Sequence, residues 1–237
     1  AAETSDFTFS GTGVDAGAKT ITIAPGSLSG TINVDVVNDD VVEDTETLTL
    51  NVTNVTGNTD ITVASAPDDT ASLTIASEDT ATFTIADSSG DENGAGQADG
   101  TVTFTVSLNN PIDVPVMVDV QFADDTATGG GTDFASTLQR LTFNPGDQSE
   151  TVDVTITNDA MIEGPETFDA MLVLTTGQSL GTRSITATDT ATGTINDNDT
   201  AVLSFDEATT SVNEGPVPNP NNVLVAVTLA VTANGVS

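Results

Sequence analysis

Hydrophobic and polar residues alternate with a period of two along nearly the whole chain. Thr20-Ile21-Thr22-Ile23, Thr101-Val102-Thr103-Phe104-Thr105-Val106, Val114 to Phe122 and Val223-Leu224-Val225-Ala226-Val227 all show it. Successive side chains of a strand point to opposite faces, so β-branched residues alternating with polar ones predict half-buried strands. No long segment carries a 3.6-residue apolar stripe, which leaves helix without a signal. Turn-forming clusters separate the strands: Ala24-Pro25-Gly26, its copy Asn144-Pro145-Gly146, Asn109-Asn110-Pro111 and Gly129-Gly130-Gly131. Short strands punctuated in this way predict an all-β protein made of immunoglobulin-like antiparallel β-sandwiches, about 110 residues to the unit.

The pattern also repeats at long range. The stretch Asn158-Asp159-Ala160-Met161-Ile162-Glu163-Gly164-Pro165-Glu166 occurs earlier as Asn38-Asp39-Asp40-Val41-Val42-Glu43-Asp44-Thr45-Glu46, an offset of 158 − 38 = 120 residues. Each copy follows an alternating strand and precedes an apolar run, so it is a loop between strands. At the same offset, Thr70 to Ala81 lies over Thr190 to Ala201, and a new strand starts at once after each copy. Residues 81–200 then read as one complete repeat, 1–80 as the back part of the repeat before it, and 201–237 as the front part of the next. An array of this kind is quasi-one-dimensional, each unit touching only its neighbours. The chain begins and ends in mid-pattern, as an excerpt of something longer does. Its two partial repeats could complement each other between copies, head to tail, by strand exchange, or could simply be boundaries.

Composition narrows the function. The 237 residues are 37% hydrophobic, enough for a core, and contain no Cys, Trp or Tyr. Disulfides and thiolate metal sites are therefore excluded, as is the Cys–Trp–Cys pin of antibody domains. Three basic residues against 36 acidic ones give a formal net charge of −33, which repels nucleic acid and anionic membrane surfaces and attracts divalent cations. No apolar run approaches the length of a membrane-spanning helix, and the segment from Ala1 does not resemble a signal peptide. With His and Cys both absent, no Ser/His/Asp or Cys/His arrangement can form. Glu163 and Glu166 stand too close on one loop for glycoside hydrolysis, which needs carboxylates across a sugar-sized cleft. The expectation is a protein that is not an enzyme.

Several smaller motifs read as structural. Lys19, the only lysine, is expected to be a solvated charge, and the Asn-X-Thr triplets at Asn51, Asn54 and Asn198 arise readily by chance in a Thr-rich chain. Alternating Thr reads as the wet side of sandwich strands, not as an ice-binding face. Gly94-Ala95-Gly96 does not lie between a strand and a helix, and Pro216, Pro218 and Pro220 keep a loop from extending a strand edge.

The repeated loop carries the candidate chemistry. Asp159, Glu163 and Glu166 lie within eight residues that include no Lys, Arg or His. Two carboxylates about 4 Å apart repel by roughly 4 kcal/mol at an effective dielectric near 20. A fold that holds them together needs a cation among them, and the other outcome is a loop dispersed into water.

Four features together resemble the Calx-beta domain: Asp91-Glu92-Asn93-Gly94 after the first strand, Gly131-Thr132-Asp133-Phe134 before the central strand, the Asn158 to Glu166 loop, and Ile195-Asn196-Asp197-Asn198-Asp199 at the end. The resemblance covers the middle repeat fully and both fragments in part. It implies two antiparallel sheets holding Ca²⁺ at one tip, with ligands Glu92, Asp133, Asp159, Glu163, Glu166, Asp197, Asp199 and the backbone carbonyl of Met161. An all-oxygen set of this kind suits Ca²⁺. Asn158, Ala160 and Asn198 interrupt acidic runs that the family often has, which implies fewer ions or weaker binding. In the first repeat the matching side chains are Asp6, Asp39, Glu43, Glu46 and Asp79, with Glu78 a further possibility; in the third only Glu214 is reached.

These expectations converge on an extracellular or cell-surface array, with the absence of Cys fitting bacterial export. Asp197 and Asp199 sit at the joint between repeats, so Ca²⁺ there would stiffen a stalk, filament or adhesin whose partners are its neighbouring repeats and possibly a cell-surface or glycan ligand. The resemblance also allows a Ca²⁺ sensor that regulates an attached protein, and Ca²⁺-dependent glycan binding is a third reading.

Overall fold

The computed structural model of the protein describes residues 2–93, 99–206 and 225–232, and every regular element among them is a strand. The first segment holds β1 (Phe7–Ser10), β2 (Val14–Asp15), β3 (Thr20–Ile21), β4 (Asn33–Val36), β5 (Glu46–Asn51) and β6 (Thr70–Ile75). The middle segment holds β7 (Thr80–Ile85), β8 (Ser88–Asp91), β9 (Gly100–Leu108), β10 (Val116–Asp124), β11 (Gln139–Phe143), β12 (Ser149–Ile156), β13 (Glu166–Leu174), β14 (Ser184–Ala187) and β15 (Thr190–Asn196). Two more, β16 (Thr200–Phe205) and β17 (Val227–Thr232), come after it. The Gly94-Ala95-Gly96 loop, Glu214 and the prolines at 216, 218 and 220 lie outside the described residues.

The middle strands form a sandwich of a five-stranded sheet, in the order β11-β10-β13-β15-β8, and a four-stranded sheet, in the order β12-β9-β7-β14. The period of two decides what goes inside. β7 buries Ala81, Phe83 and Ile85 and exposes Thr80, Thr82 and Thr84; β9 buries Val102, Phe104 and Val106 between exposed threonines. Each large apolar side chain so buried contributes about 1.5–3 kcal/mol. At the centre, Phe134 stacks on Phe168 with ring centroids 4.1 Å apart, and Phe104 meets Phe168 edge-on at 5.8 Å. Gly193, paired with Phe168 across the β13–β15 ladder, makes room for this cluster, because a Cβ there would fall 2.4 Å from the Phe168 ring.

Pairing is antiparallel except where β7 meets β14 and β8 meets β15, which are parallel. The reason is a shared change of sheet. β7 continues into β8 by crossing from the four-stranded to the five-stranded sheet, and β14 continues into β15 in the same way beside it. The amides freed at the crossing are satisfied by two aspartates: Ile85 N–H donates to Asp189 Oδ2 at 3.0 Å, and Thr192 N–H to Asp87 Oδ1 at 2.8 Å.

The first segment forms only two-stranded pairs, β1 with β4, β2 with β3 and β5 with β6. Lys19 is exposed in the turn between β2 and β3, as expected. Among the described residues before Ala81, Val42 alone is buried, and it belongs to the core of the middle sandwich. β16 and β17 pair in the register of β7 and β9: Leu203 faces Leu229 as Phe83 faces Leu108, and Phe205 faces Val227 as Ile85 faces Val106.

Candidate metal centre

The topology delivers the acidic residues of the middle segment to one pole. The parallel ladder of β8 and β15 ends with Asp91 beside Asn196, so Glu92 leaves the sheet alongside Asp197. Glu92 N–H extends that ladder by donating to the Asn196 carbonyl at 2.9 Å. Glu166 opens β13 opposite Ile195, which lays the loop from Asp159 to Glu163 over the end of β15. Asp133 is tied to the same pole because its carbonyl accepts from Thr157 N–H at 2.9 Å, just after β12 ends.

Within the pole, oxygens of Glu92, Asp159 and Asp199 lie within 4.8 Å of one another. Glu92 and Asp199 are buried, and Asp159 is exposed at the rim. Both carboxylate oxygens of Asp199 are shut away from water and accept no hydrogen bond, an arrangement that is costly for a charged group unless a cation supplies the missing partner. Burial, and then the charges of Asp159, Asp197, Glu163 and Asp199, push the Glu92 carboxyl up to about 7.

Asp133, Glu163 and Glu166 make a second focus. Burial and the charges of Asp159, Asp133 and Asp197 raise the Glu163 carboxyl; burial, Asp133 and Glu163 raise that of Glu166, which also shares a hydrogen bond with Asp133. Asp197 joins the two foci, its Oδ2 accepting from Glu163 N–H and its Oδ1 from Asp199 N–H, both at 2.7 Å. Met161 N–H closes a turn on Asp159 Oδ1 at 2.7 Å, leaving its side chain exposed.

The seven carboxylates named from sequence are thus brought to one pole, and their donors are all hard oxygen. Both arginines are committed elsewhere: Arg140 to Asp119 at 2.7 Å, and Arg183 to Asp113 at 2.5 Å. The residues present fit a hard divalent cation such as Ca²⁺ and offer nothing to a softer metal.

The first segment repeats the arrangement in an open form. Asp6, Asp39, Glu43, Glu46 and Asp79 line one cleft of about 180 Å³, together with Glu78. Val41 N–H closes on Asp39 Oδ1 at 2.9 Å, the same turn as at Met161. Burial, and then Asp6, Asp39, Asp113 and Glu46, push the Glu43 carboxyl up to about 7. Asp113 belongs to the middle segment, so the charge acting on Glu43 comes from two repeats.

The boundary between the two repeats is the part sequence reasoning missed. Val42 N–H donates to the Pro111 carbonyl at 2.9 Å, and Val42 forms a parallel bridge with Ile112. Beside it Asp44 Oδ1 accepts from Thr182 N–H at 2.8 Å, and Thr45 N–H donates to Thr182 Oγ1 at 2.8 Å. Arg183, nearly buried, holds Asp113 through both carboxylate oxygens at 2.5 Å and reaches Asp44 at 3.8 Å. One signal could have found it: a chain of net charge −33 with two arginines spends them where carboxylates meet.

Residues 3–89 and then 91–199 match the Calx-beta domain. The chain belongs to the Calx-beta domain family. No curated protein matches it at a significant level. Among solved structures, the apo form of the Calx CBD1 domain is 22% identical, over 51% of this chain and 99% of that one, at a TM-score of 0.39. The calcium-binding domain CBD12 of CALX1.1 is 18% identical over 64% of this chain and 70% of that one, at 0.38. A two-domain protein of unknown function from Bacteroides fragilis is 8% identical over 54% and 56%, at 0.36. Calx-beta domains are Ca²⁺-binding modules, and this chain carries two of them in tandem.

Proposed function

We propose that this pair of Calx-beta domains binds Ca²⁺ at the acidic clusters of its two repeats and so stiffens an extracellular stalk, filament or adhesin of bacterial origin. The observation that carries the reading is the Asp199 carboxylate, buried with no hydrogen bond beside Glu92 and Asp159. Bound Ca²⁺ supplies the positive charge that such a cluster lacks. Glu92, Asp159 and Asp199 offer it three oxygens within 4.8 Å of one another, with Asp133, Glu163, Glu166 and the Met161 carbonyl around them. Asp197 orients the loop by holding the amides of Glu163 and Asp199. In the first segment Asp6, Asp39, Glu43, Glu46 and Asp79 have the same part.

The mechanical consequence comes from where the pole lies. Three residues, Asp197 to Asp199, separate the end of β15 from the start of β16, so a cation gripping them also fixes the exit of the chain toward the next repeat. A ligand that binds only the ordered pole stabilises it by about 2.7 kcal/mol at a hundredfold excess over its Kd.

The test is calorimetric titration of the whole chain with Ca²⁺ and with Mg²⁺, beside Asp199→Asn and the double variant Asp159→Ala, Glu163→Ala. Heat that is specific to Ca²⁺ and is lost at the middle pole in both variants is the expected result. Small-angle scattering should show a longer maximum dimension with Ca²⁺ than with chelator. An Asp199→Asn chain that titrates like the parent, or a scattering profile that ignores Ca²⁺, overturns the reading.

A further inference from the structure

We propose that Met161 and Ile162 form a docking surface for the base of the next sandwich along the chain, seated there as Val42 is seated in the middle sandwich. The inference makes no use of the cation. It rests on one interface seen at the first joint and on the same loop standing uncovered at the second.

At the first joint Val42 is wholly buried, within the core of the repeat after its own. Its N–H donates to the Pro111 carbonyl at 2.9 Å, its carbonyl accepts from Asp113 N–H at 3.4 Å, and it runs parallel to Ile112. The receiving residues come directly after β9, at the base of the middle sandwich. A single aliphatic side chain thus closes the bottom of its neighbour, held by backbone hydrogen bonds that do not depend on which aliphatic it is.

Ile162 holds the corresponding place in the second copy of the loop, and the turn that presents it is closed in the same way. The turn that presents Val42 closes with Val41 N–H on Asp39, and the turn that presents Ile162 closes with Met161 N–H on Asp159. Yet Ile162 is 50% exposed and Met161 60% exposed. Two neighbouring large apolar side chains therefore stand in water at the rim of the acidic pole, where the first joint has one of the pair wholly buried. Later in the chain β16 and β17 pair in the register of β7 and β9. The next strand pair therefore repeats the pair that precedes the seat of Val42 at the first joint.

The two joints differ in the contacts that flank the seat: Thr45, whose N–H donates to Thr182 Oγ1 at the first joint, is Pro165 in the second loop and has no N–H to give. Asp44, which takes the amide of Thr182 and approaches Arg183, is replaced in the second loop by Gly164. The second joint keeps the aliphatic seat without the charged latch.

The test keeps residues 1–200 and continues them with a second copy of residues 81–200, whose base is shown to accept an aliphatic plug. Amide exchange is read at Val42 and Ile162 in this chain and in the 237-residue chain. Val42 should be protected in both, and exchange at Ile162 should slow at least about tenfold when the complete repeat is present behind it. Since the chain has no cysteine, the pair Ile162→Cys with Cys at the second copy of Ile112 should cross-link on oxidation, as should Val42→Cys with Ile112→Cys. Exchange at Ile162 that stays as fast as before, or a cross-link formed only by the Val42 pair, overturns the proposal. A second copy left unfolded behind Ile162 overturns it too, because the same sequence folds behind Val42.

Discussion

Withdrawing divalent cations should make this protein less stable as pH rises through neutrality. The Glu92 carboxyl titrates near 4.5 in an unfolded chain and is pushed up to about 7 in the fold, by burial first and then by Asp159, Asp197, Glu163 and Asp199. Between those pH values the folded protein keeps a proton that the unfolded chain has lost. The stability tied to this group is therefore complete below about 4.5 and is lost as pH climbs through 7. Without screening, that rise from 4.5 to about 7 corresponds to about 3 kcal/mol; water at the loop surface reduces it to on the order of 1–2 kcal/mol. For a sandwich of this size the melting temperature should fall by roughly 5 °C. Calorimetric melts in chelator, from about pH 5 to about pH 8, read the slope, and Glu92→Gln should remove most of it. In millimolar Ca²⁺ the slope should reverse, because ligand carboxylates must shed their protons to bind. Melts in chelator that stay level across this range, or that keep the same slope with Ca²⁺ present, refute the reasoning.

Three further outcomes test the packing. Val42→Ala removes two buried methyl groups, about 1.6 kcal/mol of transfer, and with the cavity left behind should cost the middle sandwich about 2–3 kcal/mol in denaturant unfolding. Arg183→Met leaves Asp113, Asp44 and Glu43 without their cation and should cost about 2 kcal/mol at low ionic strength, less as salt screens the repulsion; hydrogen exchange at Thr45 should report the released loop. Gly193→Ala places a methyl group where the Phe168 ring lies and should cost on the order of 2–4 kcal/mol, visible as a lowered melting temperature with Ca²⁺ affinity largely kept.

The strands were legible because burial on one face of a sheet writes itself as alternation, and residues such as Phe83, Phe104 and Val154 are buried where the period of two puts them. The acidic pole was legible for a similar reason: carboxylates without neutralising bases stand out in any sequence. The parallel edges were not, since nothing in β8 or β14 records that the chain changes sheet twice at the same level. Val42 escaped because alternation assigns burial within an element, whereas its neighbours in space, Pro111 to Asp113, lie about seventy residues away across a repeat boundary. The role of Arg183 escaped likewise; its charge was visible, but the carboxylates it holds come from different repeats.

The seat of Val42 has a consequence for where one module stops and another begins. Counting by sequence, a repeat opens at about Ala81, and a fragment cut there would appear whole. Its floor would be missing a tile, because the side chain that fills it is donated by the preceding loop. The residues recur along the chain in one frame and pack in another, offset by a single loop.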